Sequence, residues 1–238
     1  MTDTASPHSH IDRLNKYLAF HQGISRRQAD KLITQGRVTL PSGVASLGAR
    51  VAPDDVVFLD GTPVTVRSSY TYIALHKPVG YVCSRKQQGD MPTIYSLLPA
   101  SLQHLKSVGR LDANSSGLLL LTDNGDFTLK MTHPRFYKQK RYTISLDRDL
   151  EPLHQQMIND FGIQLEDGPS KLTLERISDT NRIEWTVLMS EGRNRQIRRT
   201  FEALGYTVVT LHRTHFGSYS LGEILEGKWM ILNISHMG

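Results

Sequence analysis

The stretch Gly109-Arg110-Leu111-Asp112-Ala113-Asn114-Ser115-Ser116-Gly117-Leu118-Leu119-Leu120-Leu121-Thr122 decides how the larger part of this chain folds. A polar loop bounded by two glycines leads directly into four consecutive leucines. A short apolar block without polar alternation is typical of a strand that is buried on both faces of a sheet. We therefore predict a central buried strand with a polar loop at its entrance.

Asp112 lies in that loop and is the first candidate for a catalytic residue. Loops held by a rigid scaffold are where catalytic side chains concentrate. An aspartate before Asn-Ser-Ser can also cap a turn without any catalytic role. The residues alone leave both interpretations open.

The sequence around this stretch is rich in predicted strands from Tyr72 onward. Helices are predicted at 152–159 and after Asn194, where an apolar stripe at helical spacing ends at Gly205. Strand patterns occupy the segments between and around them, at 72–75, 142–146, 172–177, 184–189, 208–210 and 230–232. Residues 72–238 are therefore predicted to form one mixed α+β domain.

The N-terminal part has a different sequence pattern, with predicted helices before its strands. Residues 1–10 are polar and predicted to be a disordered tail. A helical pattern begins at Ile11, and Ser25 with Gln28 forms a predicted capping box for a second helix. Short β segments follow, so 11–66 is predicted to be a small α/β module and the polar residues 67–71 a linker.

The chain is basic, with 28 Lys and Arg against 23 Asp and Glu. Six of these cations lie on or just after the first two helices, where only Asp12 and Asp30 oppose them. Such segregation favours a polyanionic partner over a merely solvated face. Further basic residues lie in the larger domain and could neutralise phosphates, namely Arg135, Lys138, Lys140, Arg141, Arg193, Arg195, Arg198, Arg199 and Arg213.

The sequence lacks the signatures of several functional classes. Cys83 is the single cysteine, so an internal disulfide or a Cys-based zinc site is excluded. The N-terminus does not resemble a signal peptide, and no apolar run approaches the ~20 residues of a membrane helix. Residues 222–228 match the first seven positions of the phosphate-binding loop motif of nucleotide-binding proteins, but Trp229 stands where the motif requires Ser or Thr. We expect a cytoplasmic protein without a metal or another cofactor.

The first two helices resemble an S4 domain, a module that binds structured RNA. The similarity lies in Arg13-Leu14-Asn15-Lys16-Tyr17-Leu18, Ser25-Arg26-Arg27-Gln28-Ala29-Asp30 and Gln35-Gly36-Arg37-Val38. The resemblance implies RNA binding by the basic side chains of these helices, namely Arg13, Lys16, Arg26, Arg27, Lys31 and Arg37.

From Tyr72 to Leu232 the chain resembles pseudouridine synthases, which isomerise uridine in RNA. Four ordered motifs carry the resemblance, at His76–Gly80, Gly109–Thr122, Lys140–Tyr142 and Glu191–Arg199. The family's sheet is mixed and mainly antiparallel, and its chemistry needs no cofactor. The resemblance implies catalytic roles for Asp112, Tyr142 and Arg198, with Arg198 paired to Asp112, and substrate binding by Arg110, Lys140, Arg195 and Ile197.

The S4-like module together with the four motifs resembles the branch of the family that modifies one specific uridine of ribosomal RNA. Residues 162–169 and Asn194-Arg195-Gln196 most resemble the members of that branch that act on the large-subunit RNA. The small-subunit RNA is the alternative substrate. The expected partner is ribosomal RNA or an assembly intermediate, and the expected state is a monomer. Two other classes stay open, a non-catalytic assembly factor and a glycosidic hydrolase that uses Asp123 or Asp126 as a second carboxylate.

Overall fold

The computed structural model describes residues 11–86 and 88–234, so the predicted disordered tail lies outside the described residues. The chain divides into two compact units, one ending at Thr71 and the other beginning at Tyr72. No helix within the described part of the chain is long and apolar enough to cross a membrane.

The first unit packs two helices against short strands around its own apolar core. Leu14, Leu18, Ala29 and Ile33 face this core from the helices. A two-stranded pairing joins β1 to β4, and a four-stranded sheet has the order β3-β2-β5-β6. The helices are α1 (Leu14–His21) and α2 (Arg26–Thr34), and the strands are β1 (Asp12–Arg13), β2 (Val38–Leu40), β3 (Gly43–Val44), β4 (Arg50–Val51), β5 (Phe58–Leu59) and β6 (Thr62–Pro63).

The predicted start of α2 is confirmed. The Ser25 side chain accepts a hydrogen bond from the Gln28 amide, and the Gln28 side chain accepts one from the Ser25 amide. The first helix begins at Leu14 rather than at Ile11, because Asp12 and Arg13 pair with strand β4. Pairing with a strand holds these residues in an extended conformation, which a helical turn would not allow.

The segment predicted as a linker, 67–71, contacts helix α1. The Arg67 amide donates to Nδ1 of His21 at 2.9 Å, and the Tyr70 ring lies 4.3 Å from the Phe20 ring. These contacts place the segment on the first unit.

The second unit is built on a nine-stranded sheet. Its main order is β13-β14-β10-β15-β9-β7-β17, with β16 beside β15 and β8 beside β9. The β9–β15 pairing is parallel and the other pairings are antiparallel. The strands are β7 (Tyr72–Lys77), β8 (Lys106–Ser107), β9 (Ser116–Thr122), β10 (Lys140–Leu146), β13 (Thr173–Arg176), β14 (Glu184–Met189), β15 (Val208–Phe216), β16 (Tyr219–Ser220) and β17 (Trp229–Ile231), and a separate hairpin pairs β11 (Ile163–Leu165) with β12 (Gly168–Ser170).

The four leucines form the centre of this sheet, as predicted. All four are at most 1% exposed on strand β9. Leu119 and Leu121 belong to the apolar cluster that includes Ile197, whereas Leu118 and Leu120 belong to the one that includes Phe127. Successive side chains of a strand point to opposite faces, so β9 is buried on both.

Helices cover the sheet on each side. Helix α3 (Gly125–Thr132) is capped by the Asn124 side chain. Helix α4 (Pro152–Gln156) continues as a π-helical turn over Met157–Phe161, and α5 (Gln196–Glu202) contributes Ile197 and Phe201 to the larger cluster.

Candidate active site

A cavity of about 440 Å³ opens at the end of the sheet where the polar loop enters strand β9. Its volume lies within the ~300–1,000 Å³ typical of small-molecule sites. Four segments distant in sequence contribute to its lining, within 109–115, 132–142, 189–197 and 211–216. The cavity has an apolar wall and a charged side, and its lining includes Asp112, Lys140, Tyr142, Arg195, Ile197 and Arg213.

The Asp112 carboxylate faces this cavity and does not cap a turn. Its side chain is 37% exposed, and Oδ2 lies 4.0 Å from Nη1 of Arg195. Within the described residues, the carboxylate accepts no hydrogen bond. The local turn is closed instead by the Asp112 carbonyl, which accepts from the Ser115 amide. The carboxylate is therefore available to a bound molecule.

Lys77 binds the backbone of the Asp112 loop. We did not predict this role from the sequence. Its side chain is fully buried, and Nζ donates to the carbonyls of Pro78, Asp112 and Ser115 at 2.9, 3.0 and 2.7 Å. Burial lowers the pKa of Lys77 to about 8. The three bonds use all three ammonium protons, so Lys77 fixes the loop backbone.

The predicted ion pair between Arg198 and Asp112 is wrong. Arg198 instead donates to the Val208 carbonyl through Nη1 and to the Asn114 carbonyl through Nη2, the latter at 2.8 Å. These acceptors orient the guanidinium toward the loop backbone. Burial lowers the pKa of Arg198, the charge of Arg195 adds to this effect, and the charge of Asp112 opposes it. Arg198 therefore fixes the loop, and Arg195 provides the nearest cation for the carboxylate.

The cavity also brings together the other residues predicted for the site in the second unit. Tyr142 is 7% exposed and Ile197 is 4% exposed, and both belong to the larger apolar cluster. Arg110 and Lys140 line the cavity with them. Asp123 and Asp126, the predicted second carboxylates of a hydrolase, are not among its lining residues.

Two arginines predicted to neutralise phosphates have a structural role instead. One side of the cavity is the rim loop, residues 190–195. Arg193 in this loop donates to three carbonyls and the Asp167 carboxylate of the β11–β12 hairpin at 2.8–3.0 Å. Arg199 donates to the other Asp167 oxygen at 2.8 Å. The sequence motif did not show that Arg193 and Arg199 share the Asp167 carboxylate, which belongs to a hairpin about 30 residues earlier in the chain.

Helix α5 begins at Gln196, two residues after Asn194. The N-cap position is Arg195, whose backbone is left-handed (φ 47°) and whose side chain makes no capping bond. The Gln196 side chain accepts from the Arg193 amide instead. A left-handed conformation is unfavourable for a residue with a Cβ, so the rim loop is held in a conformation that presents Arg195 at the cavity.

We predict that Asp167→Ala lowers the turnover number by about 10- to 100-fold with little change in thermal stability. Exposed ion pairs contribute little to stability, whereas a shift of ~1 Å in a reacting group can cost about 100-fold in rate. Single-turnover kinetics and thermal melting check this prediction. Asp160→Ala, at an exposed carboxylate that forms no ion pair with the described residues, is the control. Equal rates for the two variants would contradict the role given to Asp167.

The six cations predicted to bind RNA all lie on the first unit. Lys16 is paired with Asp12 and Arg37 with Asp60, which reduces the segregation of charge predicted from the sequence. The Arg26 guanidinium contacts the neutral Asn15 amide, and Arg27 and Lys31 are exposed one helical turn apart. Arg13 is exposed on strand β1.

Comparison with known proteins gives the family. The family model for RNA pseudouridylate synthases matches residues 71–203. The chain belongs to the pseudouridine synthase family. The match covers all four motifs completely and includes the whole loop that carries Asp112.

Individual relatives agree with this assignment. The ribosomal small subunit pseudouridine synthase A of Pasteurella multocida is 40% identical, with 93% of this chain and 96% of that protein covered. The ribosomal large subunit pseudouridine synthase B of Vibrio cholerae is 35% identical, with 95% and 73% covered. A crystal structure of a pseudouridylate synthase superposes with a TM-score of 0.66 at 32% identity, covering 93% of this chain and 96% of that one.

This pseudouridine synthase is therefore an isomerase, and its second unit has the mixed, mainly antiparallel sheet that the sequence predicted. The relatives named for the two ribosomal subunits are similarly close, so their names do not separate the two possible substrates.

Proposed function

We propose that this pseudouridine synthase isomerises one uridine of ribosomal RNA, with Asp112 as the catalytic residue. The observation that carries the proposal is a carboxylate without a hydrogen-bond partner among the described residues, beside an aromatic and aliphatic wall in a cavity of nucleoside dimensions. Relatives that cover nearly the whole chain are named as synthases of ribosomal subunits.

The proposed reaction breaks the bond between C1′ of the ribose and N1 of uracil and forms a bond from C1′ to C5. The Asp112 carboxylate acts at C1′, where positive charge develops as the first bond breaks. Arg195, with Nη1 4.0 Å from Oδ2, places a positive charge beside this carboxylate. Tyr142 offers its ring to the uracil and its phenol for proton transfer, and Ile197 packs against the same base.

A uridine within folded RNA must leave its stack to reach this cavity. Arg195 is 45% exposed at the mouth of the cavity, and Arg110 lies beside Asp112. These two side chains are proposed to contact the backbone of the distorted strand. The first unit, residues 11–66, is proposed to act as an S4 domain that binds structured RNA separately from the catalytic domain, residues 72–238.

The large-subunit ribosomal RNA is the first candidate substrate. Residues 162–169 and 194–196 support it through their resemblance to that branch. Asp167 of the first segment accepts hydrogen bonds from Arg193 and Arg199, which flank the second segment. The small-subunit RNA is the second candidate. The 40% identity over 96% of a small-subunit synthase favours it.

Chemical mapping of pseudouridines in both ribosomal RNAs, from cells with and without the gene, tests the proposal. Loss of one large-subunit site supports the first candidate, and loss of one small-subunit site supports the second. If every ribosomal site persists, the proposed substrate class is wrong. In a second experiment, the purified monomeric protein is added to free ribosomal RNA and to assembly particles, and pseudouridines are mapped in both. This identifies which of the two is the substrate.

We predict that neutralising Arg26, Arg27 and Lys31 together weakens RNA binding and lowers its salt dependence. Each lost phosphate contact reduces the slope of log K against log salt by ~0.7–0.9, so three contacts reduce it by about 2 to 3. Titrations at several salt concentrations measure this slope. A control neutralises Lys130, Lys171 and Arg176, which removes the same charge from the second unit, and an equal effect on both slopes would contradict specific binding by the helices.

A further inference from the structure

Two cations, Lys140 and Arg213, line the cavity, and a third, Lys77, is close enough to Arg213 for their charges to interact. Lys77 is fully buried, Arg213 is 2% exposed, and Lys140 is half-buried. Strand pairing places Arg213 opposite Tyr142 and beside Gly117, and it places Lys140 opposite Phe216. The Lys140 Nζ and the Arg213 Cζ lie 5.3 and 4.9 Å from the centre of the same Phe216 ring. The sequence showed these residues only as members of separate basic stretches.

Lys140 and Arg213 differ from Lys77 in how many of their protons are bonded. All three protons of Lys77 have carbonyl acceptors. Lys140 has one acceptor, the Glu191 carbonyl at 2.9 Å, and Arg213 has one, the Leu118 carbonyl at 2.8 Å. Lysine has three donors and arginine has five, so most donors of this pair have no acceptor among the described residues.

The charges of the pair are also poorly compensated. Burial and, to a smaller extent, the charge of Arg213 lower the pKa of Lys140 to about 8, and the charge of Glu191 opposes this shift. No carboxylate of the described residues forms an ion pair with either cation. Two cations held in a low-dielectric site without a counter-ion raise the free energy of the empty protein, and they stabilise an electron-rich ligand placed between them.

We propose that Lys140 and Arg213 bind the carbonyl oxygens of the extruded uracil and stabilise its negative charge when the glycosidic bond breaks. This inference rests on the proposed function. As the C1′–N1 bond breaks, its electron pair moves onto the uracil and its oxygens, and Asp112 compensates the positive charge at C1′. The retained ring turns, C5 bonds to C1′, the C5 proton leaves to solvent and N1 gains a proton.

The position of Arg213 inside the cavity, rather than at its mouth, favours the base over a phosphate as the ligand of this pair. Arg213 neighbours Tyr142 directly across the strand pair, and the side chains of such pairs lie ~5 Å apart on the same face. The aromatic rings of Tyr142 and Phe216 form the wall on which a base can stack. The exposed Arg195 at the mouth is better placed for the RNA backbone.

Tritium at C5 of uridine gives a direct measurement, because that proton is released to water when C5 bonds to C1′. Single-turnover release is followed from the transcript that contains the site lost in the mapping experiment. Lys140→Met is expected to slow release by about 10²–10³-fold, the effect of removing one preorganised donor, while the Kd for RNA changes less than about threefold. Lys171→Met, at an exposed lysine outside the cavity, is the matched control. A Lys140→Met rate within about threefold of wild type, or a defect confined to Kd, would overturn the proposal.

The pH profile separates a charge requirement from a structural role. Wild-type turnover should fall as the pH rises through about 8, because Lys140 then loses its proton. Lys140→Arg should restore most of the rate and remove this decline. The charged groups around Lys140 are Arg213 on β15, Glu191 and Arg193 on the rim loop, and Asp112 and Arg110 on the catalytic loop. Lys77 has a similarly lowered pKa, so a decline that persists in Lys140→Arg would contradict the assignment to Lys140.

Failure of the underlying function has a different signature. If the wild-type protein releases no tritium from either ribosomal RNA, the proposed function and this inference fail together. If the wild type is active and Lys140→Met matches it, only the inference fails. Thermal melting of each variant identifies a loss of rate that is caused by unfolding.

Discussion

Replacing Asp112 with asparagine is expected to lower pseudouridine formation by at least about 10³-fold while leaving RNA affinity within about threefold. Asparagine keeps the size of the side chain and removes the charge that the reaction needs at C1′. The fold should persist, because the loop is held by backbone contacts from Lys77 and Arg198 rather than by the carboxylate. Single-turnover kinetics and a binding titration measure the two quantities separately.

Asp149→Asn is the matched control for this substitution. Asp149 is exposed, lies outside the cavity and should leave the rate unchanged. Retained activity in the Asp112 variant would refute the mechanism. A parallel loss of RNA affinity would show that the carboxylate organises the binding surface instead.

The second large effect is expected from Gly117→Ala, which should destabilise the catalytic domain by about 3–5 kcal/mol. A Cβ at this position would lie 2.3 Å from the Arg213 carbonyl oxygen, and the backbone has a φ of +106°. Overpacking costs ~1–3 kcal/mol and backbone strain costs a similar amount. The neighbouring atoms belong to the backbone of strand β15, so they cannot move aside as a flexible side chain could. Chemical denaturation of both proteins measures the difference.

Gly125→Ala is the control for this second prediction. Gly125 begins helix α3, has no positive φ and would place its Cβ in open space. Alanine there should be neutral or stabilise the domain by up to ~1 kcal/mol. If the two variants have equal stability, the close approach of β9 and β15 does not limit substitution at Gly117.

Local patterns were sufficient for the elements that depend on near neighbours. The leucine block predicted a strand buried on both faces, and that prediction is confirmed. Ser25 and Gln28 predicted a capping box because its two hydrogen bonds join residues three apart. The motif around Asp112 predicted the location of the cavity, since the loop and its buried strand are continuous in sequence.

The partners of the charged side chains were the least predictable part of the site. The motif implied that Arg198 pairs with Asp112, but the structure places Arg195 nearer to the carboxylate. Arg193 and Arg199 were predicted to meet phosphates, but they hold Asp167. Charged side chains are long and can reach acceptors in several directions, so their partners depend on which segments the fold brings within about 4 Å.

The sequence by itself determined the family, the sheet and the identity of the candidate catalytic loop, because these follow from apolar pattern and continuous motifs. The tertiary structure alone decided which cations are free to meet a substrate. Lys140 and Arg213 are 73 residues apart and become neighbours only because β10 and β15 pair in one register. Hydrogen bonding and electrostatic energy depend on distance in space, and the register of the sheet fixes that distance.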